Sequence, residues 1–171
     1  MGKAFLVVGG TGSGKSFLIR KNLEAIHPGA RMVYDVQQEY TDLYPYPLID
    51  EEKFLEVTTK VTNAVIVYEE ATIFFSNRGS SKLLRRVLVG KRHTGNTIFL
   101  VFHSLRAIPR YIFDLCTHVI LYKTNDNEAL VSSRFENDEF TSMFLRLKDA
   151  AWINNGAVRY SPHEIFSIYG Y

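Results

Sequence analysis

The chain has 171 residues, 46% of them hydrophobic and 22% charged, the balance of an ordinary soluble globular protein with room for one compact core. Its net charge is +2 and its single cysteine, Cys116, lies among Ile112, Phe113 and Leu115, which excludes a disulfide framework and reads as a buried thiol rather than a nucleophile. No run approaches the ~18 apolar residues of a membrane helix, and the N-terminus enters a strand without a signal-peptide layout, so the expected setting is a reducing, cytoplasm-like compartment.

Ala4–Val8 is a continuous apolar run ending in glycines, the pattern of a buried first strand. A helix follows from Gly14 to about Ile26 and stops at His27-Pro28-Gly29. Arg31–Asp35 reads as a second strand, and residues 36–50, with Tyr40, Tyr44, Pro45, Tyr46 and Pro47, as an irregular loop. Asp50–Thr59 reads as a short helix with Asp50 as its N-cap, and Ala64–Tyr68 as a third buried strand. Asn77–Gly79 is a loop, Ser80–Arg92 a basic helix, and Thr97–Phe102 a fourth strand. Pro109–Leu115 fits a short helix with proline at its start, and His118–Tyr122 a fifth strand.

After Lys123 the rhythm weakens. Asn137–Ala150 reads as a helix, Asn155-Gly156 as a turn between Trp152-Ile153 and Ala157–Tyr160, and Ile165–Tyr171 as a tail that docks on the domain or a neighbour. The alternation predicts an α/β fold: a single P-loop NTPase domain over 1–171, RecA/ASCE-like, with a mainly parallel central sheet of about five core strands flanked by helices. Its core is expected over 3–123, with 124–171 as an extension.

The chemistry is concentrated in Gly9, Gly10, Thr11, Gly12, Ser13, Gly14, Lys15 and Ser16, which match G-x-x-x-x-G-K-[ST] between a strand and a helix. Glycines let the backbone wrap a phosphate with N–H groups pointing inward, in conformations hostile to a Cβ. Lys15 neutralises β/γ oxygens, the Ser16 hydroxyl ligates Mg²⁺, and the helix offers its positive end. These residues, with Phe17 next in the chain, are the candidate ATP-binding set.

A second site must hold Mg²⁺ and activate water. Val65-Ile66-Val67-Tyr68 ends in two carboxylates: Glu69 as the candidate support of the Mg²⁺ shell and Glu70 as the candidate base that polarises the attacking water. A kinase gains little from such a glutamate, whereas an ATPase needs it. At the tip of the fourth strand, His103 is the candidate sensor of the γ-phosphate, with Ser104 the alternative. Arg85, Arg86, Arg92 and Arg110 are candidates for an arginine finger, Arg92 first among them because it lies just before the fourth strand.

Charge is segregated. Asp35 to Glu70 is acidic, while Ala71 to Phe113 contains no acid and eight lysines and arginines: Arg78, Lys82, Arg85, Arg86, Lys91, Arg92, Arg106 and Arg110. That fits a polyanion-binding face, basic and acidic surfaces meeting between subunits, or two solvated faces of opposite sign.

Together these residues resemble the HerA–FtsK superfamily of DNA-pumping ATPases over roughly residues 3–123. The resemblance rests on the phosphate loop, Asp35 through Glu39-Tyr40 after the second strand, Val-Ile-Val-Tyr-Glu-Glu in the third, and Arg92-His93-Thr94-Gly95 leading into a strand that ends in His103-Ser104-Leu105-Arg106. That family often has Gln where this chain has His103, and Asp where it has Glu69. In size and outline the chain is similar to viral genome-packaging ATPases. The resemblance implies a homo-oligomeric ring, a pentamer or hexamer, that drives nucleic acid, double-stranded DNA above all, into a capsid, with residues such as Asn77–Lys82 touching it in the pore. It also implies a place in the host cytoplasm or in the virion, with a capsid or portal vertex as partner. Two other readings stay open: a P-loop small-molecule kinase, and an ATP-binding switch or assembly protein.

Overall fold

The computed structural model describes residues 2–44, 50–76, 78–155 and 158–168. Part of the expected 36–50 loop, Asn77, the Gly156 of the expected turn and residues 169–171 lie outside that set.

The apolar run at the N-terminus becomes β1 (Lys3–Val8), with Ala4, Leu6, Val7 and Val8 fully buried. It is followed by α1 (Lys15–Glu24), β2 (Arg31–Tyr34), α2 (Glu51–Thr58), β3 (Val65–Tyr68), α3 (Arg78–Thr94), β4 (Thr97–Phe102), α4 (Arg110–Leu115) and β5 (His118–Tyr122). The C-terminal part adds α5 (Glu128–Phe135), α6 (Asp138–Asp149), a two-stranded ribbon of β6 (Ile153–Asn155) and β7 (Val158–Tyr160), and β8 (His163–Ser167).

The main sheet has six strands in the order β2-β3-β4-β1-β5-β8; the first five are parallel and β8 runs antiparallel to β5. Strands apolar on both faces need cover on both. On one face α1 packs Ile19 and Leu23 against Val7, Val33, Val67, Phe99, Val101 and Ile120. On the other, α2 to α6 bury Phe54, Leu84, Leu88, Ile112, Phe135, Phe140 and Phe144.

Because the chain runs out to β2 and returns through β3 and β4 before crossing to β5, β1 is where the winding changes direction. Open α/β sheets bind ligands at the carboxyl ends of the strands at such a point. Here that edge gathers the loop after β1, the acids after β3 and His103 after β4.

The structure differs from the sequence reading in three places. The basic helix runs from Arg78 to Thr94 rather than Ser80 to Arg92, so Arg78 and Gly79 are helical instead of loop. Helix α5 was not expected at all: only Val131 and Phe135 are buried on it, one i,i+4 pair, too little to show a period. It is capped by Asn127, whose side chain accepts the Ala129 N–H at 2.8 Å. The sheet also has a sixth strand, because the C-terminal segment docks by pairing with β5: Phe166 turns inward at 7% exposure and Ile165 outward at 61%. The expected turn at 155–156 is flanked by strands as read, with Ile153 opposite Tyr160.

The Phe166 ring sits 5.3 Å from that of Phe140, centroid to centroid. Replacing it with alanine should therefore lower unfolding stability by ~3 kcal/mol, read as a shift in the urea midpoint with an unchanged slope. A loss below ~1 kcal/mol would mean that β8 only lies on the domain without supporting it.

Candidate nucleotide-binding site

The loop after β1 is pinned from both sides before it turns. The Gly9 N–H donates to the Phe102 carbonyl of β4 at 3.2 Å, and the Gly10 N–H to the Lys123 carbonyl beyond β5 at 3.0 Å. A Cβ on Gly9 would stand 2.5 Å from Ser13 Oγ and 2.6 Å from Tyr122 Cβ, so only glycine fits this approach. Gly14, at φ 103°, turns the chain into α1 through a conformation that other residues adopt at a cost.

The Lys15 ammonium lies inside the loop, donating to the carbonyls of Gly9 at 2.7 Å and Gly10 at 3.0 Å. Burial pulls its pKa below the ordinary lysine value, against the opposing pull of Glu69, Glu70 and Glu39. It is a buried cation held by carbonyl dipoles, and a triphosphate would supply the counter-charge it lacks. Among the described residues the buried Ser13 Oγ has no hydrogen-bond partner.

β4 lies between β1 and β3, so His103 reaches both neighbours. Its Nδ1 is 3.5 Å from Lys15 Nζ, and its Nε2 contacts Glu70 Oε1. An ammonium only donates, so the tautomer that satisfies both contacts has Nδ1 accepting and Nε2–H donating to the carboxylate. Glu70 sits at φ 53°, ψ 52°, a left-handed conformation rare for a residue with a side chain, and opens the 3-10 turn Ala71–Phe75. Ser104 precedes the turn Leu105–Ala107 and makes no side-chain cap there.

Glu69 is buried, and burial raises its pKa to about 7, opposed by a hydrogen bond from Tyr40. The Tyr40 ring is fully buried; its hydroxyl donates to Glu69 Oε2 at 3.2 Å and Ser16 hydrogen-bonds the same hydroxyl. Asp35, just past β2, folds this loop by accepting the N–H groups of Glu39 at 2.9 Å and Tyr40 at 2.8 Å. Arg20 of α1 clamps it from outside through Asp42 at 2.9 Å and the Glu39 carbonyl at 2.6 Å. The sequence marks Asp35 and Tyr40 only as part of a resemblance. The structure gives them a place, because a tyrosine that links Ser16 to Glu69 is invisible until β2 and β3 are paired.

Among the described residues no group of three or more His, Cys, Asp or Glu side chains is placed to hold a metal ion. Ser16, a carboxylate behind it and phosphate oxygens suit Mg²⁺, which keeps most of its waters and takes few protein ligands. The residues present therefore fit ATP with Mg²⁺.

The remaining candidates are dispersed. Phe17, at 65% exposure, stands outside the loop with the Lys21 ammonium 5.0 Å from its ring centroid. Arg110 bonds Asp114 at 3.2 Å and the Arg134 carbonyl, and the Arg85 guanidinium lies 6.0 Å from the Tyr111 ring centroid. Arg92 is exposed on the last turn of α3, beside the start of β4 and so at the end of the sheet opposite the phosphate loop.

No protein-family model matches the sequence, and no curated protein matches it significantly. Solved structures do. The chain is similar to the genome-packaging NTPase B204 of Sulfolobus turreted icosahedral virus 2 in complex with ATP-gammaS, with 17% identity and a TM-score of 0.70 over 98% of this chain and 92% of that one. The DNA-packaging ATPase B204 of Sulfolobus turreted icosahedral virus matches at 16% identity and a TM-score of 0.69, over 87% and 88% of the two chains. The N-terminal domain of zonular occludens toxin from Neisseria meningitidis matches at 13% identity and a TM-score of 0.51, over 73% and 78%. At these identities the likeness shows the fold: this chain has the P-loop NTPase fold expected from its motifs.

The raised pKa of Glu69 makes a signed prediction. The unfolded carboxyl releases its proton near 4.5, but the folded one holds it to about 7. Between those values the unfolded state binds fewer protons, so stability falls as pH rises through the window and levels off above it. Glu69→Gln removes this slope. Without nucleotide or Mg²⁺, the variant should be more stable than the parent at pH 8, by at most ~3 kcal/mol, and equal to it near pH 4.5. Thermal melts at the two pH values test this, and equal melting at pH 8 would show that Glu69 is ionised at little cost.

Proposed function

We propose that this chain is the ATP-hydrolysing subunit of a motor that moves double-stranded DNA, of the kind that fills viral capsids. The observation that carries the proposal is the cluster of Lys15, His103 and Glu70 on one edge of the sheet, where a carboxylate stands across the phosphate loop from the lysine. That arrangement suits water attack on a terminal phosphate better than transfer to a second substrate. The packaging NTPases of like fold support the same reading.

Loop N–H groups and Lys15 would hold the β- and γ-phosphates, and Ser16 and Glu69, kept aligned by Tyr40, would hold Mg²⁺. Bound there, it would supply charge neutralisation at the phosphate oxygens. A γ-phosphate oxygen would compete with Glu70 for Nε2 of His103, freeing Glu70 to accept a hydrogen bond from the attacking water. Ring assembly would bring a neighbour's arginine to the same phosphate. Arg92 suits that role from the far end of its own sheet better than a role in its own site.

Nucleic acid has a matching surface. Arg78, Lys82 and Arg85 line a groove of about 750 Å³ together with Ser81 and Tyr111, whose hydroxyls lie 2.7 Å apart. The groove lies between the first two turns of α3 and the start of α4, the helices that follow Glu70 and His103 in the chain. Lysine and arginine grip a phosphate backbone without reading sequence.

ATP turnover should rise with double-stranded DNA and fall at least ~100-fold in Lys15→Ala and Glu70→Gln. Lys82→Ala with Arg85→Ala should leave DNA-free turnover unchanged while flattening the salt dependence of DNA binding by about two counter-ions. Turnover indifferent to DNA, or intact in Glu70→Gln, would overturn the motor and direct the search to phosphoryl acceptors.

A further inference from the structure

The outer side of the phosphate loop is bonded to the C-terminal segment, in contacts that phosphate binding does not require. The Ser161 N–H donates to the Ser13 carbonyl at 3.2 Å, and the Lys123 N–H donates to Ser161 Oγ at 2.9 Å, while the Lys123 carbonyl takes the Gly10 N–H. The Lys123 ammonium donates to the Ala150 carbonyl at 3.0 Å and lies 5.9 Å from the centroid of the Trp152 ring. Beside it the His163 ring, at the start of β8, packs on Tyr122 with centroids 4.7 Å apart, and the Tyr122 hydroxyl reaches the Gly14 carbonyl at 3.5 Å. Two accessible rings therefore stand at the tip of β5, on Lys123 and Tyr122, residues that are themselves bonded to the loop.

The direction of a bound nucleotide follows from the strand order. Its terminal phosphate belongs with Lys15, His103 and Glu70, on the β3 and β4 side of β1. The rest of the molecule must leave the loop on the other side, where β5 and β8 lie ~5 and ~10 Å from β1. A nucleoside is an extended group with a flat base at its end, and a base stacks on any aromatic face it meets. Burial lowers the pKa of His163 below the ordinary histidine value.

We propose that Trp152 and His163, flanking Lys123 at the tip of β5, form the wall that receives the base of the nucleotide; this rests on the phosphate-loop reading above. The C-terminal extension then does more than close the sheet: it turns a site for polyphosphate into a site for a nucleoside triphosphate. It also ties the base to the loop through Ser161, so that base binding stiffens the Gly10–Ser13 backbone.

Trp152 is the only tryptophan in the chain, so its fluorescence reports the site directly. Calorimetric titration with Mg²⁺·ATP and with Mg²⁺·tripolyphosphate, which has no base, separates the two halves. The parent protein should bind ATP more tightly than tripolyphosphate, and ATP alone should change Trp152 emission. Trp152→Ala with His163→Ala should weaken ATP ~10-fold or more and leave tripolyphosphate unchanged, which also shows that the variant is folded; Trp152→Phe should keep most of the affinity. Unchanged ATP affinity in the double variant, or an equal loss for both ligands, would overturn the base wall. A parent protein that binds neither ligand would instead overturn the phosphate-loop reading itself.

Discussion

The parallel pairing of β1 with β4 is the constraint on which the site depends. It brings the Phe102 carbonyl to the Gly9 N–H, so the strand ladder itself sets where the phosphate loop begins. It also separates β1 from β3 by one strand, and that spacing lets the His103 imidazole span Lys15 and Glu70. Had β3 paired with β1 directly, Glu70 would stand against the lysine with no room for a polar group between them. Five parallel strands with both faces covered leave the carboxyl edge as the place where loops can vary without exposing core.

The edge is assembled at an energetic cost that the rest of the fold supports. A lysine, a glutamate whose pKa burial raises and a tyrosine hydroxyl are placed where water is scarce, and beside them Glu70 holds a left-handed backbone conformation. Asp35, Arg20 and the apolar packing beneath Tyr40 hold them there. On the proposed function, a magnesium-bound triphosphate would supply counter-charge to Lys15 and Glu69. Ligand binding and local stability are therefore linked.

The basic helix α3 connects this chemistry to its surroundings. It starts a few residues after Glu70 and runs back along the sheet to Asn96, whose side chain accepts the Ala64 N–H at 3.0 Å and donates to the Val61 carbonyl at 3.0 Å. One end of the helix thus carries the groove with Arg78, Lys82 and Arg85, and the other is tied to the foot of β3 and β4. On the proposed reading, a force on the groove would act on a helix whose other end is held at the foot of β3 and β4.

The sequence alone determined the fold class and the phosphate loop, because both are local: apolar runs of strand length, glycines where a Cβ is excluded, and a lysine and a serine at fixed offsets before a helix. It also placed Glu69, Glu70 and His103 at strand tips, since an apolar run that ends in polar residues is legible without partners. Helix α5 and strand β8 escaped it, as their burial is one or two side chains deep. What only the tertiary structure decided is who meets whom. Tyr40 joins Ser16 to Glu69, His103 rather than Ser104 faces the lysine, Arg92 stands at the foot of the sheet, and Trp152 and His163 come to the outer side of the loop. Each of these joins segments tens of residues apart, and strand order, which carries that information, is set by the packing of the whole core rather than by any local pattern.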